Sequence, residues 1–364
     1  MRILFVITSL RLGGAERMIA EMAPLLAKSG HHVDVFLFDR TVTPLLRNLE
    51  KENIKILPAP KGALHMWNPF HIHTLRNLIK KGNYDIIHTH NSPPQILTAF
   101  ASLKHNVSLV TTEHNTTNKR RKYSLLKWLD PFIYKVYDHI VCVSKMTRDK
   151  LIDEVGINPE QVSVIHNGID LSKFSPDTPP ALSKPLPSVN PGEKIILMTG
   201  AFRKQKDQPS LIRAMLLLPD NYHLWLAGGW KLKEAAEKLS HKLGLQHRVT
   251  FLGERDDIPA LMRKADINVL ATHYEGLPLA AIEAMASGKP FLASDVPGVT
   301  DIASGAAFLV PPRNPAALAA AIRGILESEH LSRQISINCL QRASQYDIRR
   351  VIDAHISLYE SLCR

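Results

Sequence analysis

Short apolar runs alternate with longer amphipathic stretches along almost the whole chain, and the runs predict β-strands. In the first half they are 3–7, 33–38, 54–57, 85–88, 109–112, 140–143 and 162–165. In the second half they are 194–198, 223–227, 249–252, 267–270, 290–293 and 307–310. Strands that alternate with helices predict parallel sheets with helices on both faces. Each half is therefore expected to be a doubly wound, Rossmann-like α/β domain.

A proline-rich stretch separates the two halves. Residues 175–193 hold six prolines and no sustained period, which predicts a linker. The expected domains are then residues 1–174 and 194–345. Apolar residues at helical spacing predict a last amphipathic helix within 346–364. Ligands of open parallel sheets bind beyond the carboxyl ends of the strands, so two such domains facing a central cleft would hold substrates between them.

Two glutamates, Glu275 and Glu283, are separated by seven residues around a predicted helix start. Pro278 suits the first turn of this helix, and Gly288 would end it. Glu275 then lies in the preceding loop, and Glu283 lies about 7 to 8 Å along the helix from Pro278. The N–H groups of the helix start attract an anion. Carboxylates on either side of an anion site suit a nucleotide sugar, which has hydroxyls at both ends and phosphate between them.

Cations and glycines follow the first strand of each half. Arg203 and Lys206 follow Gly200, just after the predicted strand 194–198, where they would neutralise a diphosphate. Gly13–Gly14 follows the first strand of the chain and allows a close approach of the backbone to a ligand, although a plain turn is an alternative. His114 ends a buried strand of the first half, at the edge where ligands of such sheets bind.

The run from His273 to Pro290 resembles the signature of retaining glycosyltransferases of family 4, which have the GT-B fold. Blocks that resemble the same family recur along nearly the whole chain. The resemblance implies transfer of a hexose or N-acetylhexosamine from a nucleotide sugar, with UDP as the expected nucleotide. It also implies a lipid-linked or surface-polysaccharide acceptor and retention of the anomeric configuration. By the same resemblance, the helix within 346–364 is expected to cross back to the first domain.

The resemblance assigns roles to single residues as well. His114 would contact the donor sugar and Glu275 the hexose hydroxyls, while Arg203 and Lys206 would stabilise the leaving diphosphate. Glu283 would hold the ribose hydroxyls. The other expected donor-binding residues are Gly13, Gly14, Gly200, Gly276, Leu277 and Pro278.

One position departs from the family pattern, because Ala201 stands where the family has an arginine. Arg203 is the expected substitute. The sequence holds no Asp-any-Asp triplet and no His/Cys/Asp cluster with the spacing of metal ligands, so neither a metal nor a cofactor is expected. Cations and the helix start at Pro278 would then stabilise the charge of the diphosphate.

The net charge of +11 is concentrated in one stretch, since residues 104–150 hold ten Lys or Arg and four acids. Lys119–Lys122 leads into a segment rich in aromatic and aliphatic residues. Peripheral contact with an anionic membrane through Lys119–Trp128 is expected. A solvated loop followed by an ordinary core face is the alternative. Nucleic acid is not an expected partner, because no recognised motif is present and aromatic residues make up only 6% of the chain.

A cytoplasmic protein is predicted by three cysteines without paired or metal-like spacing, a short apolar run at the N-terminus and the lack of any long apolar stretch. The basic stretch at Lys119–Lys122 further predicts a peripheral position on the inner face of the cell membrane. Two other functions are compatible with the fold. One is a non-catalytic GT-B subunit that binds sugar nucleotides, and the other is a sugar-nucleotide epimerase. The presence of Glu275, Glu283, Lys206 and His114 together favours the transferase, because a pseudoenzyme has no need of the whole set.

Overall fold

The computed structural model describes residues 1–11, 13–59, 67–103, 107–114, 124–174 and 182–363, with the backbone alone at Pro58 and at 124–128. The chain forms two compact units. The first consists of Met1–Gly168 and Ile348–Arg364, and the second consists of Ile169–Asp347.

The first unit is a parallel sheet of seven strands in the order β3-β2-β1-β4-β5-β6-β7. Its strands are β1 (Arg2–Ile7), β2 (His32–Leu37), β3 (Lys55–Pro58), β4 (Ile86–His90), β5 (Ser108–Glu113), β6 (His139–Cys142) and β7 (Val162–Val164). Its helices are α1 (Gly14–Lys28), α2 (Pro44–Lys51), α3 (Phe70–Gly82), α4 (Ser92–Ser102), α5 (Ser124–Lys135), α6 (Lys145–Val155) and, from the end of the chain, α14 (Ile348–Leu362).

The second unit is a parallel sheet of six strands in the order β10-β9-β8-β11-β12-β13. Its strands are β8 (Lys194–Thr199), β9 (Tyr222–Ala227), β10 (Val249–Gly253), β11 (Ile267–Leu270), β12 (Phe291–Ser294) and β13 (Phe308–Val310). Its helices are α7 (Gln208–Ala214), α8 (Lys233–Lys242), α9 (Ile258–Lys264), α10 (Leu279–Ala286), α11 (Pro297–Ala303), α12 (Pro315–Glu327) and α13 (Glu329–Ala343).

The expected fold class is confirmed, since both sheets are parallel and doubly wound. Every predicted strand coincides with an observed one, and no end differs by more than two residues. The agreement has a physical cause. Central strands of such sheets are covered on both faces, so they are nearly continuous apolar runs that stand out from the amphipathic helices. In β1 and β8, for example, every residue after the first is buried.

The chain passes between the units after Gly168 and returns after Asp347. The sequence had suggested 174 and 345 for these points. Ile169 lies with the second unit because its N–H donates to the Tyr346 carbonyl (2.9 Å) and because it forms a bridge with Asp347. The predicted linker lies partly outside the described residues, at 175–181. Its described part is bound to the second unit, where the N–H of Ser183 donates to Asp257 Oδ2 at 2.8 Å.

No helix in the described part of the chain has the length and hydropathy that a membrane span requires.

Candidate functional site

The strand order of the second sheet changes direction between β8 and β11, and ligands of doubly wound sheets bind at such a point. The loop after β8 and the loop after β11 pair with each other there. Lys206 and Thr272 form an isolated antiparallel bridge, and the N–H of His273 donates to the Gln205 carbonyl at 2.9 Å. Residues almost 70 positions apart in the sequence are thereby held in a fixed register.

Lys206 and Glu275 form an ion pair in this register, with Nζ 2.5 Å from Oε1. The side chains are 14% and 7% exposed, so the pair is largely shielded from water. Coulombic attraction is stronger at such a position than on the surface, and loss of one partner would leave the other charge uncompensated. The structure therefore brings together the cation expected for the diphosphate and the carboxylate expected for the hexose.

Two residues that the sequence did not single out orient this carboxylate. Gln205 Nε2 donates to Glu275 Oε2 (2.7 Å) and to the Tyr274 carbonyl (2.9 Å). Thr272 Oγ1 lies 2.9 Å from Glu275 Oε1 and 2.9 Å from the Gln205 carbonyl. With Lys206, three side chains converge on one carboxylate, whose two oxygens have about four lone-pair sites. The carboxylate is thus fixed in place and retains capacity for one more donor.

Helix α10 begins at Leu279, so Pro278 is its N-cap and does not lie in its first turn as the sequence predicted. Glu275 lies in the loop before the helix, as expected. Ser287 is the C-cap, and Gly288 has the positive φ of +73° that ends the helix. Glu283 is 1% exposed in the second turn of α10. The two glutamates therefore lie in different surroundings. Glu275 is in the paired loops before α10, and Glu283 is in the helix, with its side chain buried inside the second unit.

The loop at Glu275 and Gly276 also lies directly against α11. A Cβ placed on Gly298, the second residue of α11, would be 2.2 Å from the carbonyl oxygen of Glu275 and 2.5 Å from that of Gly276. No side chain fits there without a shift of backbone. Gly298 therefore permits the close contact between the start of α11 and this loop. Leu277, the next residue of the loop, is 8% exposed.

Arg203 takes a different position from Lys206, although both follow β8. Its guanidinium carbon lies 4.3 Å from the ring centroid of Trp230, which follows β9. The ends of β8 and β9 approach each other closely. Gly228 has a φ of +152°, and a Cβ on it would be 2.1 Å from the carbonyl oxygen of Gly200. The sequence placed Gly200 and Arg203 at this edge but missed Gly228 and Trp230.

In the first unit, Gly13 is the N-cap of α1, and Gly14 is its first residue. Glu16 stands in the first turn of this helix, and Asn91 Nδ2 lies 3.4 Å from its Oε1. Asn91 follows β4 with a φ of +74°. These residues lie at the carboxyl ends of β1 and β4, where the order of the first sheet changes direction.

His114 follows β5 at the same edge and is paired with a second histidine. Its Nε2 lies 2.9 Å from Nδ1 of His90, the last residue of β4. Burial, and to a smaller extent nearby His355, lower the pKa of His114 to about 4. Burial, together with His88 and His114, holds the pKa of His90 well below its usual range. Both rings are therefore neutral at pH 7, so one donates the hydrogen bond and the other accepts it.

His88 and His90 are not among the site residues expected from the sequence, yet the composition of β4 is unusual. It is buried throughout and reads Ile-Ile-His-Thr-His, with three polar residues in a strand that doubly wound sheets normally fill with aliphatic ones. His88 explains part of this pattern. Its Nδ1 lies 2.6 Å from the Tyr359 hydroxyl of α14 and its Nε2 lies 2.7 Å from Thr112 Oγ1, so it joins β4, β5 and α14.

The basic run Lys119–Lys122 lies outside the described residues, and the membrane contact predicted for it is untested. Within the described residues, no group of three His, Cys, Asp or Glu side chains has the geometry of a metal site.

Comparison with known proteins agrees with this architecture. The profile of Glycosyltransferase Family 4 matches residues 12–173, and that of Glycosyl transferases group 1 matches residues 184–342. Anabaena Alr3699/HepE, solved in complex with UDP and glucose, superposes with a TM-score of 0.84 at 22% identity, over 99% of this chain and 100% of that one. WaaG, a glycosyltransferase involved in lipopolysaccharide biosynthesis, superposes with a TM-score of 0.72 at 17% identity, over 98% and 99%. The fold is thus GT-B.

Two curated relatives are similar in sequence. The UDP-Gal:alpha-D-GlcNAc-diphosphoundecaprenol alpha-1,3-galactosyltransferase of Escherichia coli is 30% identical over 237 residues, which are 62% of this chain and 61% of that protein. An uncharacterized glycosyltransferase of Methanocaldococcus jannaschii is 26% identical over 340 residues, 86% of this chain and 85% of that one. With the two profiles, these matches show that the chain belongs to the GT-B glycosyltransferases of family 4.

Proposed function

We propose that the protein transfers a hexose or N-acetylhexosamine from a UDP sugar to a lipid-linked or surface-polysaccharide acceptor, with retention of configuration and without a metal. The observation that carries the proposal is the Lys206–Glu275 pair at the point where the second sheet changes direction. A cation and an oriented carboxylate side by side match the diphosphate and hydroxyl groups of a nucleotide sugar. The names of the E. coli relative and of the HepE complex support UDP as the nucleotide, and the former supports a lipid diphosphate acceptor.

In the proposed reaction the bond between the anomeric carbon and the diphosphate oxygen breaks, and its electron pair stays on the diphosphate. The acceptor hydroxyl bonds to the anomeric carbon on the same face, and its proton passes to the departing phosphate oxygen. Negative charge therefore grows on the diphosphate in the transition state. Lys206, Arg203 and the start of α10 are fixed before reaction and stabilise that charge more than they stabilise the ground state.

The two glutamates act in this proposal as positioning residues. Glu275 has three side-chain donors around it and accepts from the hexose hydroxyls with its remaining capacity. Glu283 accepts from the ribose hydroxyls. His114, neutral at pH 7 because burial lowers its pKa to about 4, contacts the sugar through an uncharged ring. A general base is not required, since the departing diphosphate takes the proton.

Incubation with a panel of nucleotide hexoses and N-acetylhexosamines, with and without lipid diphosphate acceptors in detergent, tests the proposal. Release of nucleotide with formation of glycolipid, only when both substrates are present, supports transfer. Conversion of the donor to an isomer in the absence of acceptor supports an epimerase instead. Tight nucleotide binding with no turnover of any donor supports a non-catalytic subunit.

We further propose that the protein contacts the inner face of the cell membrane through Lys119–Trp128. Helix α5 begins within this segment, and its later residue Phe132 is 49% exposed. Replacement of Lys119, Arg120, Arg121 and Lys122 by Gln should reduce binding to vesicles that contain anionic lipid. A control with the same charge loss in α8 and just before it, at Lys231, Lys233, Lys238 and Lys242, should bind as the wild type does. Equal binding of all three proteins would refute this contact.

A further inference from the structure

Trp230 has a backbone conformation that bulky residues rarely adopt. Its φ is +102°, in the region that favours glycine, and it follows Gly228 and Gly229 directly after β9. The side chain is 51% exposed, so burial of its ring does not compensate for the strained backbone. Strained residues of this kind cluster at ligand-binding sites, where the surrounding structure holds them in place.

Backbone hydrogen bonds hold Trp230 against the loop that carries Arg203. The Phe202 N–H donates to the Gly229 carbonyl (2.7 Å), and the Leu232 N–H donates to the Phe202 carbonyl (3.2 Å). The two bonds join Phe202, the residue before Arg203, to Gly229 and Leu232, which flank Trp230. The indole and the guanidinium are therefore positioned by the fold, with 4.3 Å between the guanidinium carbon and the ring centroid.

The contact leaves the hydrogen-bonding groups of Arg203 available. In the part of the chain that the structure describes, Arg203 forms no ion pair with a carboxylate, whereas Lys206 is paired with Glu275. An indole attracts a guanidinium through its ring face and takes up none of its five N–H donors. A guanidinium held on a ring can thus bind two oxygens of a phosphate at once.

We propose that Trp230 is a positioning residue for the nucleoside diphosphate: its indole supports Arg203 so that the guanidinium binds the diphosphate. The inference rests on the proposed function and adds a residue that neither the family motifs nor the charge pattern of the sequence indicates. It also explains how the chain can have Ala201 where the family has an arginine. The cation is supplied by Arg203, which is held by Trp230 from the loop after β9.

The test measures UDP binding by calorimetry on the full chain. Trp230→Leu should weaken binding by about fivefold to tenfold, and Trp230→Phe, which keeps a ring, should weaken it less. The double variant Arg203→Gln/Trp230→Leu should bind UDP no more weakly than Arg203→Gln alone, because the indole acts through the guanidinium. Full additivity of the two losses, or unchanged affinity in Trp230→Leu, would overturn the proposal.

A second variant separates binding from folding. Trp230→Gly removes the ring and relieves the strained φ, so its thermal unfolding midpoint should equal or exceed that of the wild type while UDP binding weakens as in Trp230→Leu. A marked fall in the midpoint would make Trp230 a structural residue and overturn the proposal. Trp67→Leu, at a 43% exposed tryptophan of the first unit, is the control and should bind UDP normally. If the wild type itself binds no UDP, the proposed function fails first.

Discussion

Gly298 offers a sharp test of how closely the site depends on packing of its loops. Its missing side chain allows the start of α11 to touch the carbonyl oxygens of Glu275 and Gly276. In Gly298→Ala the new Cβ would lie 2.2 Å from the carbonyl oxygen of Glu275, whereas real Cβ atoms essentially never lie within 3.0 Å of another heavy atom of this kind. The loop and the helix must therefore separate by roughly 0.8 Å or more, in a region where both neighbours are backbone.

Two opposing effects determine how much Gly298→Ala changes the free energy of unfolding. Alanine is favoured over glycine within a helix by about 0.5–1 kcal/mol. Overpacking in a filled interior costs about 1–3 kcal/mol, so a net destabilisation of about 1–2 kcal/mol is expected. For a unit of this size the unfolding midpoint should fall by roughly 3 to 6 °C. The shift also displaces Glu275, and a displacement of about 1 Å in a site can reduce turnover by about 100-fold.

Gly324 is the matched control, because it also lies within a helix of the second unit but a Cβ there would meet nothing within 4 Å. Gly324→Ala should raise stability by about 0.5–1 kcal/mol and leave turnover unchanged. Calorimetry and steady-state kinetics with the donor that the panel identifies measure both effects. If Gly298→Ala matched Gly324→Ala in midpoint and turnover, the claim that α11 supports the Glu275 loop would be wrong.

Three further predictions concern charge. Lys206→Met and Glu275→Gln should each lower the free energy of unfolding, by up to about 3 kcal/mol for a pair this well shielded. The double variant should recover part of the stability but none of the turnover. Full recovery of turnover would contradict the assigned roles. Stability should fall as pH drops from about 6.5 toward 4, because the unfolded chain binds protons that buried His88, His90, His114 and His355 do not bind in the fold. Burial lowers the pKa of His355 to about 4, so this residue alone should reduce the free energy of unfolding at pH 5 by about 2 kcal/mol. Urea titrations of His355→Leu should therefore show stability that depends less on pH. An unchanged dependence of stability on pH would contradict this. Turnover should be unaffected by EDTA, and inhibition that added Mg²⁺ or Mn²⁺ reverses would refute metal independence.

The sequence predicted the sheets and the start of α10 well, because both depend on local patterns. Apolar runs of the strands and Pro278 before an apolar helix are visible in any short window. The same holds for the glycine that ends α10.

Details of the site were not predictable in this way. That Lys206 pairs with Glu275, and that Gln205 and Thr272 orient the same carboxylate, depends on the register between two loops. Local patterns carry no information about that register. The φ of Trp230 was hidden for a related reason, because a tryptophan after two glycines indicates only a loop. The close approach of two backbone segments at Gly298 can be recognised only when the positions of α11 and the Glu275 loop are known in three dimensions.

Glycosyl transfer from a nucleotide sugar is tested by following both products and the anomeric configuration in one experiment. The protein is incubated with ¹³C-labelled UDP hexose and a lipid diphosphate acceptor, and NMR follows the anomeric carbon. UDP and glycolipid should appear in equal amounts, and the product should keep the α-configuration of the donor. Glu275→Gln should greatly slow the formation of both products. A product of inverted configuration, or UDP release with no glycolipid for any hexose of the panel, would contradict retaining glycosyl transfer.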